Sequence, residues 1–129
     1  MEKSRPYVIL SAAMTLDGKI GKNFTKIKLS SKRDKIRVHK LRASVDGILI
    51  GKNTLDADNP MLSVRYVTGK NPLRIVLDSR GTIKSASRIL QSCSKIPTII
   101  VTTNLISEKN LLRLEKLPLQ VIKCGKSTV

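Results

Sequence analysis

The sequence is organised by four short apolar runs that polar segments separate. The runs are Gly47–Ile50, Leu73–Leu77, Pro97–Val101 and Leu119–Ile122. Each has the length and the β-branched content of a buried strand. Because strands that alternate with helices or crossover loops form parallel sheets, the sequence predicts an α/β fold with a mostly parallel sheet and flanking helices. The chain length predicts a single domain over residues 1–129.

Two other segments have the pattern of extended chain. Tyr7–Ala13 is apolar and of strand length, and the turn former Asp17-Gly18 follows it. Leu62–Val67 alternates in its side chains and predicts a second short extended piece. The residues from Ile20 to Ile27 are predicted to form a loop. Residues 52–60 are predicted to form a polar segment that ends in a turn.

Serine residues mark the expected helix starts. Ser31–Asp34 has the form of a capping box and predicts a helix that runs to about Ser44. Ser107 is predicted to cap another helix, which Pro118 ends. A short helical turn is expected over Ser85–Gln91.

The formal net charge of +16 is the strongest signal in the composition. Between positions 19 and 42, ten basic residues face one acidic residue. Such a surface attracts polyanions and equally suits small phosphorylated ligands. Aromatic residues make up only 2% of the chain, and it has no zinc-finger, KH or RNP motif. These features disfavour nucleic acid as a partner.

Other compositional features exclude several classes of protein. Cys93 and Cys124 lie far apart without metal-ligand spacing, and the chain has one histidine. No metal site is therefore predicted. No apolar run reaches the length of a membrane span, and the N-terminal stretch lacks the form of a secretory signal. These features predict a cytoplasmic protein with no membrane partner.

Two features resemble catalytic or nucleotide-binding motifs only in part. Gly125-Lys126-Ser127 follows a predicted strand as in a P-loop, but Gln120 stands where that loop requires glycine. The chain also has no G-x-G-x-x-G fingerprint. His39 lies in the middle of a helix among basic residues, so a packing or solvent-facing role is favoured over that of a general base.

Polar side chains follow two of the predicted strands, where an open α/β sheet places its ligands. Thr54 and Asp58 follow the first run, and Ser79 follows the second. These residues suit ribose hydroxyls or phosphates, or they cap the segments that follow. Arg42 and Arg65 suit a phosphate group, or they are two of the many solvated bases.

Four ordered motifs together resemble one known family, the riboflavin-biosynthesis reductases. The motifs are SAAMTLDGK at 11–19, IRVHKLRASVDG at 36–47, GKNTLDADNPML at 51–62 and NPLRIVLDS at 71–79. Within that family the chain is most similar to the archaeal-type 2,5-diamino-6-ribosylamino-4(3H)-pyrimidinone 5′-phosphate reductases. The resemblance implies a dihydrofolate-reductase-like fold, a homodimer, and NADPH as the cofactor. It also implies reduction of the ribosylamino group of a phosphorylated pyrimidinone to a ribitylamino group.

The resemblance also implies site residues. The positions that match cofactor contacts are Ala13, Lys28, Thr54, Asp58 and Ser79. The positions that match substrate contacts are Lys26, Arg42, Leu62 and Arg65. Asp17 is a candidate proton donor.

The chain departs from the family pattern in two ways. Asn59 replaces the second aspartate of the usual Asp-Asp-Pro, while Asp58 is kept. The Gly-rich segment expected further along the chain is absent, so the resemblance predicts a fold that lacks its C-terminal part. The rival hypothesis is a basic, non-catalytic module that binds nucleotides or nucleic acid. A related enzyme acting on another pterin or pyrimidine is also compatible with the sequence.

Overall fold

The fold consists of a four-stranded parallel sheet with helices between its strands. The computed structural model describes residues 4–20 and 30–127. In chain order the elements are α1 Lys32–Ser44, β1 Gly47–Gly51, α2 Lys52–Asp58, β2 Leu73–Leu77, α3 Arg88–Gln91, β3 Thr98–Thr102, α4 Glu108–Glu115 and β4 Gln120–Lys123. The strand order is β1-β2-β3-β4, and every neighbouring pair is parallel. The predicted α/β class and the four predicted core strands are confirmed.

Serine side chains begin three of the helices, and the sequence predicts two of these caps, those at Ser31 and Ser107. Ser31 Oγ accepts a hydrogen bond from the Asp34 backbone N–H at 3.1 Å and caps α1. Ser107 Oγ accepts from the Asn110 N–H at 3.2 Å and caps α4. The short helix α3 begins after Ser87 in the same way. These caps satisfy backbone donors that have no partner within a helix.

The hydrophobic core lies on one face of the sheet. Val76 and Ile100, at the centre of β2 and β3, are paired in register and fully buried. Side chains from α2, α3, α4 and the connecting loops cover them. These are Leu55, Leu62, Ile83, Ile89, Leu90 and Leu114. Within the described residues, no helix is long and apolar enough to cross a membrane.

The opposite face of the sheet is more open than predicted. The sequence predicts a buried strand at Gly47–Ile50, but the Leu49 side chain is 57% exposed. The reason is that β1 is an edge strand of the described sheet, and alternate residues of an edge strand point away from the core. Ile48 and Ile50 point to the core side and are half-buried.

Two local predictions are wrong. Tyr7–Ala13 is not a strand, and Tyr7 and Leu10 are more than 90% exposed. Leu62–Val67 is not a strand either, and Leu62 has a φ of 54°. In both segments the side-chain pattern is present, but no neighbouring strand among the described residues supplies the backbone hydrogen bonds that make a strand.

The polar segment predicted after β1 is mostly helical. Residues 52–58 form the helix α2, and Asn59, at the predicted turn, ends it with a left-handed φ of 41°. The loop predicted at 20–27 lies, after residue 20, outside the described residues.

A fully buried arginine joins several elements of the fold. Arg74 in β2 has no exposed surface. It lies two residues before Val76 in β2, so its side chain points to the same, core-facing side of the sheet. Its guanidinium donates hydrogen bonds to oxygen atoms in β3, α3 and two loops. The acceptors are Thr98 Oγ1, Ser92 Oγ and the backbone carbonyls of Met61, Ile89 and Ile96.

We expect Arg74→Met to lower the free energy of unfolding by about 3 kcal/mol or more, because buried carbonyl groups that lose their donors each cost roughly 1–3 kcal/mol. Denaturant unfolding measures this change. Arg80→Met is the matched control, since Arg80 is exposed and such surface changes stay within about 0.5 kcal/mol. Equal stability of the two variants would contradict the structural role of Arg74.

Candidate functional site

The candidate site is built around residues 61–65, which we call the 61–65 segment. This segment has no strand partner among the described residues, and side chains from elsewhere hold its backbone. Arg74 Nη1 donates to the carbonyl of Met61 at 3.0 Å. Asn71 Oδ1 accepts from the Val64 N–H at 2.8 Å. Because buried backbone groups need partners, these contacts fix the path of a segment that lacks regular secondary structure.

Helix α1 supplies two more contacts to the same segment. Arg42 Nη1 donates to the carbonyl of Ser63 at 3.3 Å. His39 Nδ1 accepts from the backbone N–H of Arg65 at 3.0 Å. His39 and Arg42 are three residues apart and therefore lie on one face of the helix. The helix and the segment thus present Arg42 and Arg65 side by side.

A pocket of about 270 Å³ lies between α1 and the 61–65 segment. We call it the arginine pocket. Its lining residues are Ser30, Asp34, Lys35, Val38, His39, Arg42, Arg65 and Tyr66. Burial and, to a smaller extent, the nearby Arg65 charge lower the pKa of Arg42, as expected where two guanidinium groups line one pocket. The acid of this pocket, Asp34, is paired with Arg37 at 2.9 Å.

Two buried polar atoms beside the pocket have no hydrogen-bond partner among the described residues. They are Arg42 Nε and Ser63 Oγ. Buried polar groups are nearly always satisfied, so each such exception needs an explanation. Arg42 and Arg65 line one pocket, and the acid of that pocket, Asp34, is paired with Arg37. Two such guanidinium groups are suited to an anion, because a phosphate accepts several charge-assisted hydrogen bonds.

His39 is buried, with 4% of its surface exposed. Its ring contacts Tyr66 edge to face, with centroids 4.8 Å apart. Burial and the charges of Arg42 and Arg65 lower its pKa below the ordinary histidine value. The hydrogen bond from Arg65 occupies Nδ1 as an acceptor, so the neutral ring carries its proton on Nε2. The predicted packing role is consistent with this position.

The other predicted residues near strand ends lie at the carboxyl edge of the sheet. Gly51 and Leu77 are paired in register, so β1 and β2 end at the same edge. Thr54 and Asp58 belong to α2, which follows β1, and both are exposed. Ser79 follows β2 and is half-buried. Its carbonyl accepts hydrogen bonds from the hydroxyl groups of Thr102, the last residue of β3, and of Thr103, which follows it. This edge therefore presents hydroxyl and carboxylate groups.

Asp78 precedes Ser79 at the same edge of the sheet, but its carboxylate has a structural role in the fold. It is buried, and its carboxylate accepts a hydrogen bond from the Ile83 N–H at 2.7 Å. The same carboxylate contacts the Arg80 N–H and the Thr82 hydroxyl at 3.4 and 3.5 Å. These contacts close the turn after β2, so Asp78 is occupied by the fold itself.

Three of the remaining predicted site residues are described, and none of the three lines the arginine pocket. Ala13 is exposed in the segment before the first turn. Asp17 lies in an exposed turn, where it accepts from the Thr15 hydroxyl and pairs with Lys19 at 3.0 Å. Leu62 has its side chain in the core, with 4% exposed. Lys26 and Lys28 lie outside the described residues.

The pKa of Asp17 is lowered by its hydrogen bond with Thr15 and by Lys19. A lowered pKa keeps this carboxylate ionised at neutral pH, where it accepts protons and does not donate them. The surroundings of Asp17 therefore disfavour the proton-donor role, which stays a prediction.

Sequence reasoning missed three residues that shape the site. Ser63 and Tyr66 belong to the segment that was predicted to be extended, and the pattern gave no sign that α1 would hold it. The sequence does contain a signal for Arg74. A charged residue on the same face of a strand as the apolar Val76 must find hydrogen-bond partners in the core. Within the described residues there is no group of three or more potential metal ligands.

Known proteins resemble this chain in sequence. Residues 6–127 match the family model of the RibD C-terminal domain. The 2,5-diamino-6-ribosylamino-4(3H)-pyrimidinone 5′-phosphate reductase of Aquifex aeolicus is 36% identical over 130 aligned positions, gaps included, and the alignment covers 97% of this chain and 58% of that protein. The protein of the same name from Methanothermobacter thermautotrophicus is 41% identical over 115 residues, which cover 87% of this chain and 52% of that protein.

A solved structure resembles this chain in fold. RibD of Acinetobacter baumannii superposes with a TM-score of 0.66 at 18% sequence identity. The superposition covers 91% of this chain and 30% of that one. At this identity the likeness shows the fold alone, and it agrees with the parallel α/β architecture described above.

The lowered pKa of His39 predicts how stability depends on pH. Because the unfolded chain binds the imidazole proton more tightly than the folded chain, the contribution of His39 is complete above about pH 6.5 and is lost as the pH falls below that value. We expect the free energy of unfolding to fall between pH 7 and pH 5 in denaturant titrations.

His39→Asn provides the control for this pH dependence. It removes the only imidazole of the chain, so the loss of stability between pH 7 and pH 5 should become smaller. The carboxyl groups of Asp17 and Asp34 also have lowered pKa values, but they contribute at more acidic pH. An unchanged pH profile in His39→Asn would contradict the assignment to His39.

Proposed function

We propose, because the chain belongs to the RibD C-terminal domain family, that it is an NADPH-dependent oxidoreductase of riboflavin biosynthesis. The predicted family resemblance is confirmed. The proposed reaction reduces the ribosylamino group of 2,5-diamino-6-ribosylamino-4(3H)-pyrimidinone 5′-phosphate to a ribitylamino group. The observation that carries this proposal is the arginine pocket, which offers two guanidinium groups to a phosphorylated ligand.

The relatives on which the proposal rests are longer than this chain. The chain spans about half the length of the curated relatives it matches, namely 58% and 52% of the two described above. The names of these relatives describe reductases that act on a pyrimidinone phosphate. The rival hypothesis, a non-catalytic module for nucleotides or nucleic acid, has no such support.

The substrate phosphate is proposed to bind between Arg42 and Arg65. Each guanidinium offers paired N–H donors in a plane, which match two oxygens of a phosphate group. Burial and the charge of Arg65 lower the pKa of Arg42, and a dianion at this point would offset both causes by favouring the charged guanidinium. The net charge of +16 would also draw an anionic ligand toward the surface.

NADPH is proposed to bind at the carboxyl edge of the sheet, beside Thr54, Asp58 and Ser79. The hydroxyl and carboxylate groups at this edge fit the ribose hydroxyls of a dinucleotide, and parallel sheets bind such ligands beyond the carboxyl ends of their strands. When bound, NADPH would supply the hydride. The residues of this chain would hold and orient the two reactants.

Several of the ligand contacts that the family resemblance implies remain predictions. Ala13 and Lys28 remain predicted cofactor contacts, and Lys26 remains a predicted substrate contact. Leu62 would contact a substrate through its backbone, because its side chain is in the core. The homodimer and the cytoplasmic location also stay predictions from the sequence.

We expect Arg65→Ala to weaken binding of ribose 5-phosphate about tenfold or more, because a hydrogen bond to a charged group contributes roughly 1.5–3 kcal/mol. The affinity for NADPH should change much less, and calorimetric titration measures both. Lys70→Ala removes the same charge from an exposed loop position and is the matched control. Equal losses for both ligands would count against the assigned role of Arg65.

We expect the 129-residue chain to bind NADPH more tightly than NADH in a fluorescence titration. Thr54→Val should weaken NADPH binding severalfold, because one hydrogen bond to a neutral group contributes about 1 kcal/mol. Thr68→Val makes the same change at an exposed position in the loop before β2 and serves as the control. An affinity for NADPH that is the same in Thr54→Val as in the unchanged chain would refute the proposed contact.

A further inference from the structure

We propose that His39 is a positioning residue whose Nδ1 atom, by accepting the backbone N–H of Arg65, holds Arg65 beside Arg42 and so sets the geometry of the phosphate-binding pair. The inference deepens the proposed function and rests on it. His39 would not touch the reacting atoms, and it would act through Arg65.

The contacts between α1 and the 61–65 segment form a two-point attachment. Arg42 Nη1 holds the carbonyl of Ser63, and His39 Nδ1 holds the N–H of Arg65. His39 and Arg42 lie about one turn apart in α1, and Ser63 and Arg65 lie two residues apart in the segment. Arg42 is therefore part of one attachment point, and the backbone of Arg65 is part of the other. Without the His39 contact, the backbone that carries Arg65 would be held from α1 only at Ser63.

The attachment at Arg65 opposes an electrostatic force. Arg42 and Arg65 lie close enough for the charge of Arg65 to lower the pKa of Arg42. The hydrogen bond from the Arg65 N–H to His39 fixes the backbone from which this exposed side chain extends, so the two like charges cannot separate by movement of that backbone. A neutral acceptor at His39 provides that fixation without adding a carboxylate, which would compete with the phosphate for the guanidinium groups.

The surroundings of His39 suit this role. The ring is buried and packs edge to face against Tyr66, which limits its rotation. The charged groups that line the same pocket are Asp34, Lys35, Arg42 and Arg65, and Asp34 is paired with Arg37. No carboxylate among the described residues hydrogen-bonds to the ring, so general-base activation of His39 has no support.

A matched pair of variants tests the proposal. In His39→Asn the side-chain oxygen replaces Nδ1 as the acceptor, and in His39→Gln the acceptor lies one bond further out, where Nε2 was. Both substitutions are polar and uncharged, so they differ mainly in where the acceptor lies. Val38→Ala, which lines the same pocket but makes no such hydrogen bond, controls for loss of packing.

Three properties are measured on the full chain: the dissociation constant of ribose 5-phosphate, the dissociation constant of NADPH, and the amide NMR signal of Arg65. We expect His39→Gln to weaken ribose 5-phosphate binding about fivefold and to shift the Arg65 amide signal, since the net contribution of one hydrogen bond between uncharged groups corresponds to a change of about that size. His39→Asn should stay within about threefold of the unchanged chain and keep the signal. NADPH binding should be the same in all variants.

Three outcomes would contradict the proposal, and each has a different meaning. Equal ribose 5-phosphate affinities for His39→Asn and His39→Gln would overturn the role of His39 while leaving the phosphate site in place. Parallel losses for ribose 5-phosphate and NADPH would mean a general structural role and would overturn it as well. If the unchanged chain binds no ribose 5-phosphate, the proposed phosphate site fails, and the role of His39 fails with it.

Discussion

The fold depends on the buried guanidinium of Arg74. A charge without exposed surface is costly unless its hydrogen bonds are all made, and here they go to oxygens from β3, α3, the loop before β3 and the 61–65 segment. These acceptors come from parts of the chain that are up to 24 residues away from Arg74. One side chain therefore links the centre of the sheet to the segment that carries the candidate site.

The 61–65 segment shows how a site can be held without secondary structure. Its backbone groups are satisfied by side chains of Arg74, Asn71, Arg42 and His39 instead of by a neighbouring strand. The positive φ of Leu62 is tolerated because its side chain is packed in the core, which fixes the local path. The position of Arg65 thus follows from contacts that reach from α1 and from the sheet.

The sequence predicted those parts of the molecule that depend on local pattern. The runs at β2 and β3 and the serine caps at Ser31 and Ser107 carry their own signals, and the structure confirms them. The pattern failed at Tyr7–Ala13 and Leu62–Val67, because alternation says which side chains share a face but not whether a partner strand exists. The sequence indicates that Arg42 and Arg65 suit a phosphate group or are solvated bases, but it carries no sign of the long-range contacts of α1 that bring both residues to one pocket.

The arginines of this chain illustrate how hydrogen-bond satisfaction separates structural from binding roles. Every N–H group of Arg74 points at an oxygen of the protein, so nothing remains for a ligand. Arg42 is half-buried, yet its Nε has no partner among the described residues, and its charge is opposed by that of Arg65. A buried cation whose donors are all satisfied stabilises the fold, whereas two guanidinium groups that line one pocket, with no ion-pair partner among the described residues, are suited to an anion. This difference, and not the basic composition as such, is what supports the arginine pocket as the proposed site for a phosphorylated ligand.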